Sequence, residues 1–192
     1  TVGLKNLLEV YPNRHQMVTV NIDQINLIAG ILKTVQFRQD FLKREFLSFD
    51  GDRETKLRLY FLSAAICHQT RTLVHPDKNL WGWEYMEYGF LQLLKQRNPL
   101  LNPGYLSICS NQDVAEMLRQ TFSPDGDPKN CTLDRIEERT FMLLEICRIV
   151  KANYKSRISN LIDETEGRLI HGGKGLYESL ARFTAFSDPQ KK

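Results

Sequence analysis

Apolar residues recur every three or four positions along most of this chain, and that spacing commits it to amphipathic helices. In NIDQINLIAGILKTVQF the period is held by Ile22, Ile25, Ala29, Leu32 and Val35. Asn21 stands where a cap belongs, with Gln24 three positions on, a variant of the capping box. The segment RETKLRLYFLSAAICHQTRTLV is apolar almost all round its middle, which marks a central, buried helix, and Pro76 ends it. WGWEYMEYGFLQLLKQ carries Trp83, Met86, Phe90, Leu93 and Leu94 on one side and stops before Pro99. Ser110 caps NQDVAEMLRQTF, and SPDGDPKN is a loop. Thr132 is expected to cap the longest segment, whose Ile136, Leu143, Leu144, Cys147 and Val150 keep the period as far as Tyr154. Two short helices follow, over about 159–166 and 175–183, joined by the turn His171-Gly172-Gly173-Lys174-Gly175.

All seven prolines fall at or outside these helix ends, and strict alternation is confined to MVTVNI. No repeat, low-complexity tract or linker divides the chain. The expectation is an all-α fold in a single helical domain over 1–192, with 1–20 as an N-terminal arm.

Composition narrows the class. With 192 residues, 42% of them hydrophobic, the chain can bury a core without disulfide or metal staples. No run approaches the roughly 18 apolar residues of a membrane span, and TVGLKNLLEVYPN lacks the apolar core of a signal peptide. A net charge of +3 is too even for a membrane surface and does not demand nucleic acid. Cys67, Cys109, Cys131 and Cys147 are spread out, without a CxxC pair or a histidine ladder. They read as reduced thiols of an intracellular, cytoplasmic protein. No metal and no cofactor is expected, and no membrane partner.

The sequence holds no Walker loop, GxGxxG, GxSxG or HExxH. Four weaker features remain. The glycine turn HGGKG leaves backbone N–H groups free for an anion, with Lys174 adding charge; its plain alternative is a tight turn. Asp188 precedes Pro189, a common turn-forming pair, yet a carboxylate there can also stabilise a sugar cation or orient water. His68 and Gln69, at the polar end of an apolar helix, either hydrogen-bond a purine-like edge or emerge into solvent. Trp81, Trp83, Tyr85 and Tyr88 either stack on a base or pack in the core. Glu84 and Glu87 are read as solvated, with the alternative that one of them reaches a ligand's hydroxyls, and His75 and His15 as surface residues.

The order of segments is more telling than any one of them. NPLLNPGYLSICSNQDVAEMLRQTF, SPDGDPKNCTLDRIEERTFMLLEICRIV, NYKSRISNLID and LARFTAFSD follow one another in an order that resembles the queuosine salvage family, ribonucleoside N-glycosidases related to helix-hairpin-helix DNA glycosylases. SFDGDRETKLRLYFLSAAI resembles that family's entry into its central helix, so the resemblance spans most of 20–188. It implies an all-α fold of the helix-hairpin-helix glycosylase superfamily, with a pocket between two helical lobes. It also implies hydrolysis of the bond between queuine and ribose, in queuosine or its 5′-monophosphate. The freed base is then salvaged into tRNA modification. In the family's F-x-x-F-x-D motif the aspartate is the catalytic carboxylate, and the matching residue here is Asp188, after Phe183 and Phe186.

Where the family has an aspartate-asparagine-aromatic signature in its central helix, this chain has Ala64 to Gln69. It ends four residues after Asp188, where the family continues into further helix, so a short C-terminus relative to the family is expected. The stretch AAICHQTRTL followed by WGWEYMEYGF also resembles archaeal-type 8-oxoguanine DNA glycosylases. That likeness implies a DNA partner, a flipped base, and HGGKG as the hairpin, with Lys174 or Arg182 on the strand.

The expected function is therefore cleavage of an N-glycosidic bond in a modified purine-like nucleoside or nucleotide. Asp188 is the catalytic carboxylate, His68 and Gln69 contact the base, Trp81 or Trp83 forms a stacking wall, and Lys174 supplies charge. The alternatives are a DNA glycosylase and a catalytically inactive nucleoside-binding module.

Overall fold

The computed structural model describes residues 21–35 and 43–187. The chain divides into two compact units, Thr1–Lys43 and Arg44–Lys192. The expected arm at 1–20, His15, most of MVTVNI and Asp188 lie outside the described residues.

In the first unit, α1 covers Ile22–Thr34, and the Asn21 side chain accepts from the Gln24 N–H at 3.1 Å. The cap falls where the sequence puts it. Ile22, Leu27, Ile28, Ile31 and Leu32 all remain exposed.

The second unit is built from eight α-helices among the described residues, with four single 3₁₀ turns and one two-stranded ribbon. The helices are α2 (Glu45–Ser48), α3 (Arg53–Ile66), α4 (Trp83–Lys95), α5 (Pro103–Leu106), α6 (Asn111–Thr121), α7 (Ile136–Tyr154), α8 (Ile158–Glu164) and α9 (Leu176–Leu180). The ribbon pairs β1 (Val74–His75) antiparallel with β2 (Leu80–Trp81). The protein is thus mostly helical, as its apolar spacing requires. No helix among the described residues is long and apolar enough to cross a membrane.

The hub is α7 rather than α3. Its Ile136, Leu143, Leu144, Ile146, Cys147 and Val150 are buried, and it packs against α3, α5, α6 and α8. α3 buries Leu59, Leu62, Ala65 and Ile66 but leaves Ala64 exposed, so one side of it is open. α4 buries Met86, Phe90 and Leu93 as its spacing predicts. α6 begins with a reciprocal box in which Ser110 and Asp113 hold each other's backbone N–H.

Two helix boundaries differ from the sequence expectation, and both differences trace to Arg139. The apolar spacing carries the α3 segment toward Pro76, but the helix ends at Ile66. Arg139, fully buried, donates Nη1 to the Ile66 carbonyl and Nη2 to the Gln69 carbonyl at 3.4 Å. It thereby satisfies carbonyls that a continuing helix would have used itself. Gln69 then turns left-handed, with φ +50°. At the other boundary, Thr132 does not cap α7. The helix starts four residues later, after left-handed Arg135, and Asp134 is tied back to Arg139 through its carbonyl and carboxylate, each at 2.8 Å. The Thr132 hydroxyl instead accepts the Val74 N–H at 3.2 Å and donates to the Val74 carbonyl at 2.9 Å, fastening β1 to this segment.

His75 is buried rather than superficial, with its ring 5.1 Å from Tyr85 and 5.9 Å from Tyr88. Glu87 is likewise buried, not solvated: it accepts from the Trp83 indole and pairs with Arg44 at 3.0 Å. All four cysteines are free thiols, and burial pushes Cys147 up to about 12.

Candidate functional site

A helix presents residues three, four and seven apart on one face. On α7 that rule aligns Glu138, Phe141 and Glu145, and Phe141 is exposed although it is a large aromatic. On α3 and just past its end, it aligns Phe61, Ala64 and His68, which are half-buried, exposed and half-buried. The two helices pack together, and His68 Nε2 lies 3.4 Å from Glu138 Oε1, so these two faces adjoin. Together the two faces carry Phe61, Ala64 and Phe141, of which Ala64 and Phe141 are exposed, with His68, Glu138 and Glu145 as their polar groups.

One end of the face is held by Arg139, Arg135 and Glu138. Gln69 accepts from Arg135 through its side chain, and Arg135 also pairs with Glu138. His68 makes no hydrogen bond of good geometry to Glu138, and its Nε2 is buried. Burial, with Arg139 and Arg135 nearby, lowers the imidazole below its ordinary value against the pull of Glu138. The ring is therefore neutral at pH 7 and able to accept or donate one hydrogen bond.

The terminal segment sits at the other end. Phe183 is buried, with its ring 5.6 Å from Phe61; Phe186 lies 5.1 Å from the same ring. Glu145 accepts from the Thr184 N–H at 2.9 Å and from its hydroxyl at 2.7 Å. Ser187 donates its N–H to the Phe183 carbonyl at 2.9 Å. The segment that leads to Asp188 is thus fastened to α3 and α7 on the face that also carries His68.

The remaining sequence candidates fall elsewhere or are otherwise engaged. Trp81 is 61% exposed on β2, its indole donating to Asn79 at 3.2 Å. Trp83 donates to Glu87 and stands edge-on to Phe46, 5.8 Å between centroids, so its ring is partly spent on packing. Lys174 is exposed in the glycine turn.

The sequence leaves this turn open between an anion site built from its N–H groups and a plain tight turn. The N–H groups meet an internal anion. His171 and Gly173 donate to the Glu178 carboxylate at 2.9 Å each, and Gly175 at 2.6 Å. These N–H bonds hold Glu178 below the usual glutamate range. Arg182 donates to the Gly173 carbonyl at 3.0 Å and so braces the turn.

Sequence inspection singles out neither Glu138, Phe141 and Glu145 nor Glu178. Their signals are present: a seven-residue interval between two glutamates on one amphipathic helix, and a glutamate three residues after Gly175. Among the described residues, no group of three or more His, Cys, Asp or Glu side chains converges as metal ligands would.

No protein-family model matches the chain. No curated protein matches it in sequence.

Proposed function

We propose that this protein is an N-glycosidase of a modified purine-like nucleoside, queuosine or its 5′-monophosphate, on a helix-hairpin-helix glycosylase-type fold. The observation that carries the proposal is the fastening of Phe183, Thr184 and Phe186 to Phe61 and Glu145. The F-x-x-F-x-D resemblance asks for a terminal aspartate delivered to a substrate face. Here the residues leading to it are tied to the face that bears His68.

Hydrolysis breaks the bond between the sugar carbon and the base nitrogen, and the electron pair leaves with the base. Positive charge builds on the sugar as the bond lengthens. The Asp188 carboxylate stabilises that charge and orients a water, whose oxygen bonds to the sugar carbon. One proton of the water passes to the departing base, giving free base and ribose or ribose phosphate. A neutral His68 suits the base end, where it can hold a purine-like edge without adding a repelling charge. Gln69 contributes a second polar group beside it, and Phe141 offers an apolar surface for a ring.

The test is chromatography of the products after incubation with queuosine, with its 5′-monophosphate and with a DNA duplex holding one 8-oxoguanine. Free queuine from either small substrate supports the proposal. Release of 8-oxoguanine alone moves the assignment to a DNA glycosylase. Saturable nucleoside binding with no product moves it to an inactive binding module.

A further inference from the structure

A second concavity lies at the opposite end of α3. It is a cleft of about 380 Å³ between the first turns of that helix and the segment 94–105. α3 has 14 residues and so is about 20 Å long, which separates the cleft from His68 by most of the helix. The volume suits a small organic molecule.

Its polar side chains are mainly donors. Arg58 gives only its Nε to Glu54, at 2.8 Å; its two Nη amines have no hydrogen-bond partner among the described residues. Arg97 is exposed and its guanidinium makes no hydrogen bond or ion pair among the described residues. It occupies the left-handed C-terminal position of α4, with φ +51°, where glycine or asparagine is usual. Both asparagines of the lining have turned their oxygens to the backbone. Asn98 Oδ1 accepts the Leu100 N–H at 2.9 Å, and Asn102 Oδ1 accepts those of Gly104 and Tyr105 at 3.0 and 3.3 Å. What each has left is an NH₂ group. No carboxylate lines the cleft. Asp52 and Glu54, just before Thr55 in the chain, are already bonded to Thr55 and to the N–H groups of Ile158 and Ser159.

A cavity with two guanidinium groups, two amide donors and no acceptor of like strength selects an anion, and guanidinium forks match phosphate oxygens. Its other components are apolar: Leu94, Leu101 and the 44% exposed ring of Tyr105. They give a flat ring somewhere to lie. We propose that this cleft is a second ligand site, which binds a phosphorylated small molecule carrying a planar ring. It is distinct from the face that bears His68 and does not depend on the hydrolysis proposed there.

Calorimetric titration of the full chain tests this with adenosine 5′-monophosphate, adenosine, ribose 5-phosphate and inorganic phosphate as probes. Adenosine 5′-monophosphate should bind saturably, and adenosine and ribose 5-phosphate each more weakly. Arg97→Gln, at an exposed position, should weaken the nucleotide at least about tenfold. Tyr105→Ala should weaken the nucleotide but leave ribose 5-phosphate unchanged. His68→Ala should change none of these. The proposal is overturned if no phosphate binds saturably, if Arg97→Gln binds as the wild type does, if adenosine matches its monophosphate, or if binding is lost in His68→Ala instead.

Discussion

Arg139 of α7 donates to the carbonyl of Ile66, the last residue of α3. One buried guanidinium therefore ends one helix, holds the approach to another through Asp134, and sets the left-handed turn at Gln69 from which His68 and Gln69 project. Replacing it by Met keeps the volume but strands those acceptors. Arg139→Met should lose about 3–5 kcal/mol of unfolding free energy, as removal of one partner from a buried charged network does. Urea denaturation checks this, and a loss under about 1 kcal/mol would refute the role.

Glu54 does the equivalent work at the start of α8. Burial pushes its carboxyl up, but the Ser159 and Ile158 N–H groups and Arg58 outweigh it and the net shift is downward. Glu54→Ala removes a cap and a charged acceptor together and should cost about 2–3 kcal/mol in the same denaturation experiment.

The glycine turn gives a pH signature. Glu178 has a folded-state value below its ordinary 4.5, because the N–H groups of Gly173, His171 and Gly175 favour the carboxylate. A depressed carboxyl contributes stability that is present above the unfolded value and is lost as pH falls through the folded one. Wild type should therefore exceed Glu178→Gln in Tm at neutral pH, and the gap should close on acidification below about 4.5. A gap that persists unchanged to low pH would show that the carboxylate charge is not what the turn uses.

Much of this fold is legible in the sequence. The spacing of apolar residues locates the helix from Trp83 to Lys95 and the one from Ile136 to Tyr154, and Ser110 and Asn21 cap where their side chains suggest. The misplaced boundaries have a common cause. The early end of α3 does not follow from local residues, because it depends on Arg139 reaching about seventy positions along the chain, while the late start of α7 rests on the nearby Asp134–Arg139 bonds, which the apolar period does not register. The burial of His75 and Glu87 is hidden for the same reason: each is enclosed by residues that the helical period alone does not bring near. Conversely, HGGKG is legible as either an anion-binding turn or a plain tight turn, and the structure combines the two, since the anion is a glutamate three residues after Gly175.

Glu145 is a positioning residue in this account. It holds Thr184 and with it the approach to Asp188, while touching no substrate. Glu145→Ala, at a half-buried helix position, should change unfolding free energy by less than about 1 kcal/mol. Base release should fall about 10- to 100-fold, since small misplacement of a reacting group costs that much. A fall in kcat at unchanged KM and unchanged stability separates this from a merely structural role. Equal loss of activity and stability would not fit it.

His68 should leave its mark on the pH profile. Burial holds its imidazole below the ordinary histidine range, so the acid limb of kcat/KM for base release should lie at lower pH than a free imidazole would give. His68→Ala should remove this acid limb and raise KM.

The most direct test of the central claim compares wild type with Asp188→Asn on queuosine and its 5′-monophosphate, with free base followed by chromatography. The account predicts steady release of queuine by the wild type and a fall of about 10²- to 10⁴-fold in the variant, with nucleoside binding retained. Equal release by the two proteins, or no free base from either substrate, would contradict it.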